Sequence, residues 1–336
     1  MTASNEIMVR CQGLTKVYEE IVALEELNLE IPRGHVFGYI GHNGAGKTTT
    51  IRILAGLLKA SRGSAQIAGV DVGSGRDRIK SLVGYMPDAF GVYDQMRVWE
   101  YLDFFGAAFK IPRRRRRERL DHVLDITEAE YMRDRFVDTL SKGMKQRVGI
   151  ARTLMHDPAV LLLDEPASGL DPKARVHMRQ LLRRLADNGK TLLVSSHILP
   201  ELAAVCDSIG IVNHGRLVAA GMLQDVLDQL QRDRLMEVRV VGDVAGLPGL
   251  LEASEHCTHV DPADAAAGLV RFRFSGNDEQ SHELLAGILQ SGVKVVTFRE
   301  VPLSLEDAYM AIADISPSEE EPDAPPAAPA AEGSAA

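Results

Sequence analysis

Three short stretches of this chain hold side chains and backbone able to do chemistry. Gly41-His42-Asn43-Gly44-Ala45-Gly46-Lys47-Thr48-Thr49 reads G-x-x-x-x-G-K-T, the spacing of a loop built to hold phosphate. Its glycines allow positive φ and close approach of a ligand. The loop N–H groups can then converge on anionic oxygens, and a helix beginning near Gly46 adds its positive dipole end. Lys47 is placed to reach β- and γ-phosphates, and the Thr48 hydroxyl to ligate Mg²⁺. The second stretch is the apolar run 160–163, which ends in Asp164-Glu165-Pro166. Two acids at the end of a buried strand are costly unless they bind something. Asp164 is placed for the Mg²⁺ shell, and Glu165 to orient or deprotonate an attacking water. The third is Thr191-Leu192-Leu193-Val194-Ser195-Ser196, a strand with His197 at its end. A histidine after a strand is more often structural. In this company it is expected to hydrogen-bond the γ-phosphate and the water.

The elements needed to position these groups are legible around them. His35 to Ile40 is a short apolar strand before the glycine loop, and Thr50 to Leu58 is apolar at helical spacing after it. Ile7 to Cys11 and Ala23 to Ile31 alternate apolar with polar and read as two β segments around a turn. Tyr18 is expected between them. There it either stacks on an adenine, worth ~1–3 kcal/mol, or packs at a strand edge. Leu140-Ser141-Lys142-Gly143-Met144-Lys145-Gln146-Arg147 precedes a helix expected over 148–155.

Composition bounds the rest. At 336 residues two domains are the natural expectation, and 25% charged with 45% hydrophobic residues describes an ordinary globular protein. No apolar run approaches the ~20 residues that span a bilayer, and residues 1–10 lack a signal-peptide core, so a cytosolic chain is expected unless a partner holds it at a membrane. A net charge of −9 argues against a general nucleic-acid binder. More than half of that charge falls in the last 22 residues, where Glu319, Glu320, Glu321, Asp323 and Glu332 stand without a base. Cys11, Cys206 and Cys257 are too scattered for a zinc site or a disulfide framework.

Two local features stand out. Phe90, Tyr93, Trp99, Tyr101, Phe104, Phe105 and Phe109 crowd into 20 residues. Most are expected in a helical-subdomain core, with one or two near Phe90 and Tyr93 docking a partner. Arg113 to Arg117 are five consecutive arginines after Pro112. A solvated helix start is the favoured reading, with Glu118, Asp121 and Asp125 as counter-charges; contact with anionic lipid is the secondary one.

The order Tyr18, GHNGAGKT, LSKGMKQR, LLLDEP, Ser168-Gly169-Leu170-Asp171 and His197 resembles the ABC-transporter ATPases over residues 5 to about 222. The resemblance implies an α/β fold: a P-loop NTPase core with an antiparallel β subdomain and a helical subdomain at about 88–155. It implies ATP and Mg²⁺ as ligands. It further implies a head-to-tail dimer, of this chain or with a paralogue, in which Ser141 and the Gly143 amide meet the γ-phosphate held by the other copy and Asp171 runs along the interface. Hydrolysis in such a dimer would drive export through a separate integral-membrane permease from the inner face of the membrane. An ATP-gated clamp without transport is the alternative. Two positions depart from the family pattern. Lys142 replaces the first signature glycine, which should be tolerated if its side chain points to solvent. Asp88 replaces the usual glutamine, and is expected to bind Mg²⁺, directly or through water, or to raise the pKa of Glu165.

After Gly221 the motifs do not recur. Strands at 235–241, 256–260, 269–274 and 293–299, with helices at 247–253 and 280–290, give a β-α-β-β-α-β order, a small ferredoxin-like α+β domain over 232–314. A last helix is expected at 303–313, where Ser304 to Tyr309 resembles the extension of type-2 ABC exporter ATPases. Residues 315–336 are Pro/Ala/Glu-rich and expected to be disordered.

Overall fold

The computed structural model describes residues 6–89, 91, 95–230, 234–242, 244, 246–261, 264 and 268–301. Phe90, Tyr93, the helix expected at 303–313 and the tail lie outside the described residues.

The chain opens with β1 (Ile7–Tyr18) and β2 (Ile21–Pro32), an antiparallel pair longer than the alternating segments suggest. Tyr18 is the last residue of β1, paired with Ile21, rather than a residue between strands. Next come β3 (Val36–Ile40), α1 (Lys47–Leu54), β4 (Arg62–Ile67), β5 (Val70–Asp71), α2 (Arg76–Leu82) and β6 (Val83–Met86). The sheet order β2-β1-β4-β5 is the antiparallel layer.

A helical segment follows: α3 (Val98–Ala108), α4 (Arg113–Ile126), two 3₁₀ turns at Glu130–Met132 and Val137–Thr139, and α5 (Lys142–Leu154). Tyr101 is buried and Phe105 packs on the core, whereas Trp99, Phe104 and Phe109 are 39–43% exposed. Core packing therefore absorbs fewer of these rings than expected. Phe109 instead stacks on His156, ring centroids 3.9 Å apart.

The core sheet closes with β7 (Val160–Leu163), α6 (Pro172–Asp187), β8 (Thr191–Ser196), α7 (Leu199–Ala203), β9 (Ser208–Asn213) and β10 (Arg216–Met222). Its order is β10-β9-β3-β8-β7-β6, parallel from β9 to β6. β3, β7 and β8 are buried at every residue, as parallel strands covered on both faces must be. The consequence is positional. The glycine loop, Asp164 and His197 follow three adjacent strands at one carboxyl edge, the edge where α/β sheets bind ligands.

After α8 (Leu223–Leu230) come β11 (Arg234–Val241), α9 (Leu247–Glu252), β12 (Cys257–Thr258), β13 (Leu269–Phe274), α10 (Asp278–Gln290) and β14 (Lys294–Glu300). The antiparallel order β12-β13-β11-β14 is that of a ferredoxin-like sheet. Phe272, Phe274, Val238 and Leu251 form its core.

Candidate nucleotide site

The loop after β3 is shaped by contacts no side chain could share. A Cβ on Gly41 would sit 2.7 Å from the Val212 carbonyl, and one on Gly46 2.7 Å from that of Ala23. Gly46 also has φ +105°, a region closed to L side chains. It ends the loop and starts α1, which has no side-chain cap and no acid in its first turn. The first amides of the helix are thus left for an anion from outside.

Lys47 is buried. Its Nζ donates to the carbonyls of Gly41 (2.5 Å) and His42 (3.1 Å), and lies 3.3 Å from Oε1 of Glu165 in ion-pair range but without hydrogen-bond alignment. The ammonium holds the loop's first turn and faces the acid across it. The His42 ring turns aside, with Nδ1 2.6 Å from the Asn43 carbonyl and Nε2 3.0 Å from Asn213 Oδ1. Asn43, Gly44, Ala45 and Thr49 fill out the loop and the first turn of α1.

Asp164 is 2% exposed. Thr48 Oγ1 donates to its Oδ2 at 2.8 Å, and Ser195 Oγ donates to its Oδ1 at 2.7 Å. The same Ser195 oxygen accepts the Glu165 N–H at 2.9 Å. Ser195 therefore fixes the two acids relative to each other, and the sequence reading missed it. Its signal was faint: one of three hydroxyls in a fully buried strand. Glu165 has φ +49°, a conformation costing roughly 1–2 kcal/mol for a residue with a Cβ. Such strain persists where surroundings over-determine it, typically at functional sites. Here the Ser195 bond holds the backbone, and the carboxylate faces Lys47 on one oxygen and His197 Nδ1, 2.9 Å away, on the other.

This oxygen set suits Mg²⁺. A buried carboxylate whose hydrogen bonds come only from hydroxyls keeps its charge uncompensated, and carboxylate plus hydroxyl is a hard donor pair. Asp88 lies at the same edge. It is exposed, two residues beyond Met86, whose carbonyl accepts the Asp164 N–H at 2.9 Å. Among the described residues it has no hydrogen bond or ion pair. Tyr18 is 42% exposed, with Lys16 Nζ 4.7 Å from its ring centroid.

The remaining candidates form a second group. α5 starts at Lys142, six residues earlier than the sequence suggests, with Ser141 as its cap. Asp171 caps α6, accepting the Ala174 N–H at 2.9 Å. Ser141, Gly143, Gly169 and Asp171 line one open cleft of about 220 Å³, and no residue of the glycine loop lines it. Lys142 is exposed, but its side chain does more than reach solvent. It lies across Gly169, where an added Cβ would strike Lys142 Nζ.

A glycine loop between a buried strand and a helix, with Lys-Thr at its end and an acid pair on a neighbouring strand, defines a phosphate-loop nucleotide triphosphatase. The ABC transporter family profile matches residues 24–168. Over 229 residues the chain is 38% identical to an uncharacterized ABC transporter ATP-binding protein of Synechocystis, covering 66% of this chain and 64% of that one. Over 212 residues it is 37% identical to the bacitracin transport ATP-binding protein BcrA of Bacillus licheniformis, covering 63% and 68%. The dimeric structure of the bacterial ABC transporter cassette MJ0796 superposes with a TM-score of 0.58 at 28% identity, over 64% of this chain and 99% of that one. The chain belongs to the ABC transporter ATP-binding proteins, and the nucleotide it binds is ATP. It spans slightly less than two thirds of the Synechocystis relative's length.

Proposed function

We propose that this chain is the ATP-hydrolysing subunit of an exporter, closing head to tail with a second copy or a paralogue around two ATP molecules. The observation that carries this is the separation of the two groups of candidates. Lys47, Thr48, Asp164, Glu165 and His197 gather at one sheet edge, while Ser141, Gly143 and Asp171 line an open cleft that the glycine loop does not reach. A second copy supplies the missing half of each site.

In this reading the amides of the loop residues Gly41 to Thr49 cradle the phosphates, and Lys47 leaves its carbonyl partners for the β- and γ-oxygens. Thr48 and Asp164 would hold Mg²⁺, with Asp88 beside them. When bound, the metal neutralises charge on the phosphate oxygens. Glu165 accepts a proton from the attacking water, and His197 orients the carboxylate and the γ-phosphate. Tyr18 stacks on the adenine. The Ser141 hydroxyl and the Gly143 amide, at the start of α5, contact the γ-phosphate held by the other copy.

Closure on ATP and reopening after hydrolysis would move a separate membrane permease. No described helix is long and apolar enough to cross a membrane, so the translocation path would belong to that partner, with this chain on the inner face. The bacitracin transport relative supports this over a non-transport clamp. The domain limits we assign are 1–222 for the ATPase, with its helical part at about 88–155, and 232–314 for the accessory domain.

The test is Glu165→Gln with ATP and Mg²⁺ in analytical ultracentrifugation. A dimer that persists with ATP and dissolves with ADP is expected, with turnover down by ~10²–10⁴. Brisk hydrolysis by a monomer would sink the reading.

A further inference from the structure

The five arginines play no part in the nucleotide site. They form the first turn of α4 (Arg113–Ile126), which contains no acid. Arg116 is neutralised by Asp103 through two bonds of 2.7 and 3.2 Å. Arg113, Arg114, Arg115 and Arg117 are exposed, and only Arg114 has an ion-pair partner among the described residues, Glu118 at 3.9 Å. Cations at a helix N-terminus oppose the helix dipole, so this arrangement is not one that stabilises α4. Arg113, Arg114 and Arg117 line a cleft of about 820 Å³ beside α3 together with Trp99, the chain's single tryptophan.

We propose that this cleft receives the acidic segment of the chain's own C-terminal stretch, Glu319-Glu320-Glu321-Pro322-Asp323. Charge complementarity selects this occupant. It is the densest run of acid in the sequence, with no base in the last 22 residues, and Arg113 to Arg117 is the densest run of base. The pattern of the cleft also favours a narrow chain over a flat anionic bilayer. Asp103, Glu118, Asp121, Asp134 and Arg133 line it as well, with Asp103 bound by Arg116 and Asp121 by Arg133. A membrane surface would press headgroups against both signs, whereas a single strand can set its carboxylates against the cations alone. Reach is ample. Glu319 lies 18 residues beyond Val301, a span of up to about 60 Å extended, or about 40 Å with 303–313 helical. A tether that spans the gap raises the local concentration toward the millimolar range, where individually weak pairs suffice.

Trp99 reports the contact directly. Emission of the full chain is compared with that of a full-length variant carrying Glu319→Gln, Glu320→Gln, Glu321→Gln and Asp323→Asn. It is also compared with an Arg113→Gln, Arg114→Gln, Arg117→Gln variant. Neutralising the tail is expected to shift Trp99 emission, and raised salt to shift the parent the same way. Combining both sets of changes should add nothing to either alone. A synthetic peptide of residues 316–326 should restore the parent spectrum to the tail variant. It should bind the arginine variant about tenfold more weakly, since each exposed pair is worth a factor of about 1.5–5. Additive effects, or a spectrum indifferent to the tail, overturn the proposal. So does a tail variant that responds to phosphatidylglycerol vesicles but not to the peptide, which would make the cleft a membrane contact. ATP binding by the variants checks the fold, and none of these outcomes depends on hydrolysis.

Discussion

His197 Nδ1 lies 2.9 Å from one carboxylate oxygen of Glu165, and the Lys47 ammonium lies 3.3 Å from the other. The three residues come from three different sequence stretches and meet because β3, β8 and β7 are neighbours. Glu165 is thus aimed from both sides. In the proposed function Lys47 would turn to the bound phosphate, leaving His197 alone to hold the carboxylate. His197→Ala is expected to lower kcat by about 10²-fold, the scale of a misplaced reacting group, while ATP affinity changes by less than about threefold. Equal loss in both, measured by single-turnover hydrolysis and nucleotide titration, would assign His197 to binding instead.

Ser195 offers a second test. Its hydroxyl donates to Asp164 and accepts from the Glu165 N–H, inside a strand with no exposed residue. Ser195→Ala leaves both partners short of a bond, a cost of about 1–3 kcal/mol for each buried group left unpaired. A fall in the urea midpoint is expected together with a lower kcat. Ser195→Cys, with a weak S–H donor of similar shape, should recover part of the stability. A stable variant with parental turnover would remove Ser195 from the account.

The role proposed for Asp88 concerns the metal rather than the phosphate. It stands exposed beside the carboxyl end of β7 without a described partner. Asp88→Ala is expected to slow metal-dependent turnover about tenfold, as changes near a metal's ligands do, and to spare ATP binding. An unchanged kcat across a Mg²⁺ titration discards the role.

What could be read from sequence was what is local. GHNGAGKT carries its own geometry, because Gly41 and Gly46 sit where a Cβ would strike backbone. The strand–acid junction at Leu163-Asp164 shows because four apolar residues run into a charge. The β-α-β-β-α-β pattern showed in the same way, through alternation and caps such as Asn277 before α10. Pairings between distant segments did not show. Nothing in Thr191–Ser196 indicates that Ser195 rather than Ser196 reaches Asp164, since that depends on the β7–β8 register. The stem of Lys142 over Gly169 was hidden likewise, joining residues from separate helix starts. Tyr18 was placed between strands because the hairpin's bulged register breaks its alternation.

The last prediction is about stability and pH. His156 stacks flat on Phe109, and its Nε2 lies 2.9 Å from the Val83 carbonyl. Burial pushes its pKa below the usual 6.5, against the opposing pull of the Val83 carbonyl. The sign follows from linkage. Above about pH 6.5 the ring is neutral both folded and unfolded, and it contributes no pH dependence. As pH falls through 6.5 toward the lower folded value, the unfolded chain takes up a proton that the folded chain refuses, and stability is lost across that window. Urea unfolding at about pH 7.5 and about pH 5.5 should show a drop between the two. His156→Phe keeps a ring against Phe109 and loses the Val83 bond, at a cost of about 1 kcal/mol. It should unfold earlier at the higher pH yet show a smaller drop at the lower one. An undiminished drop in that variant would place the titration on another group.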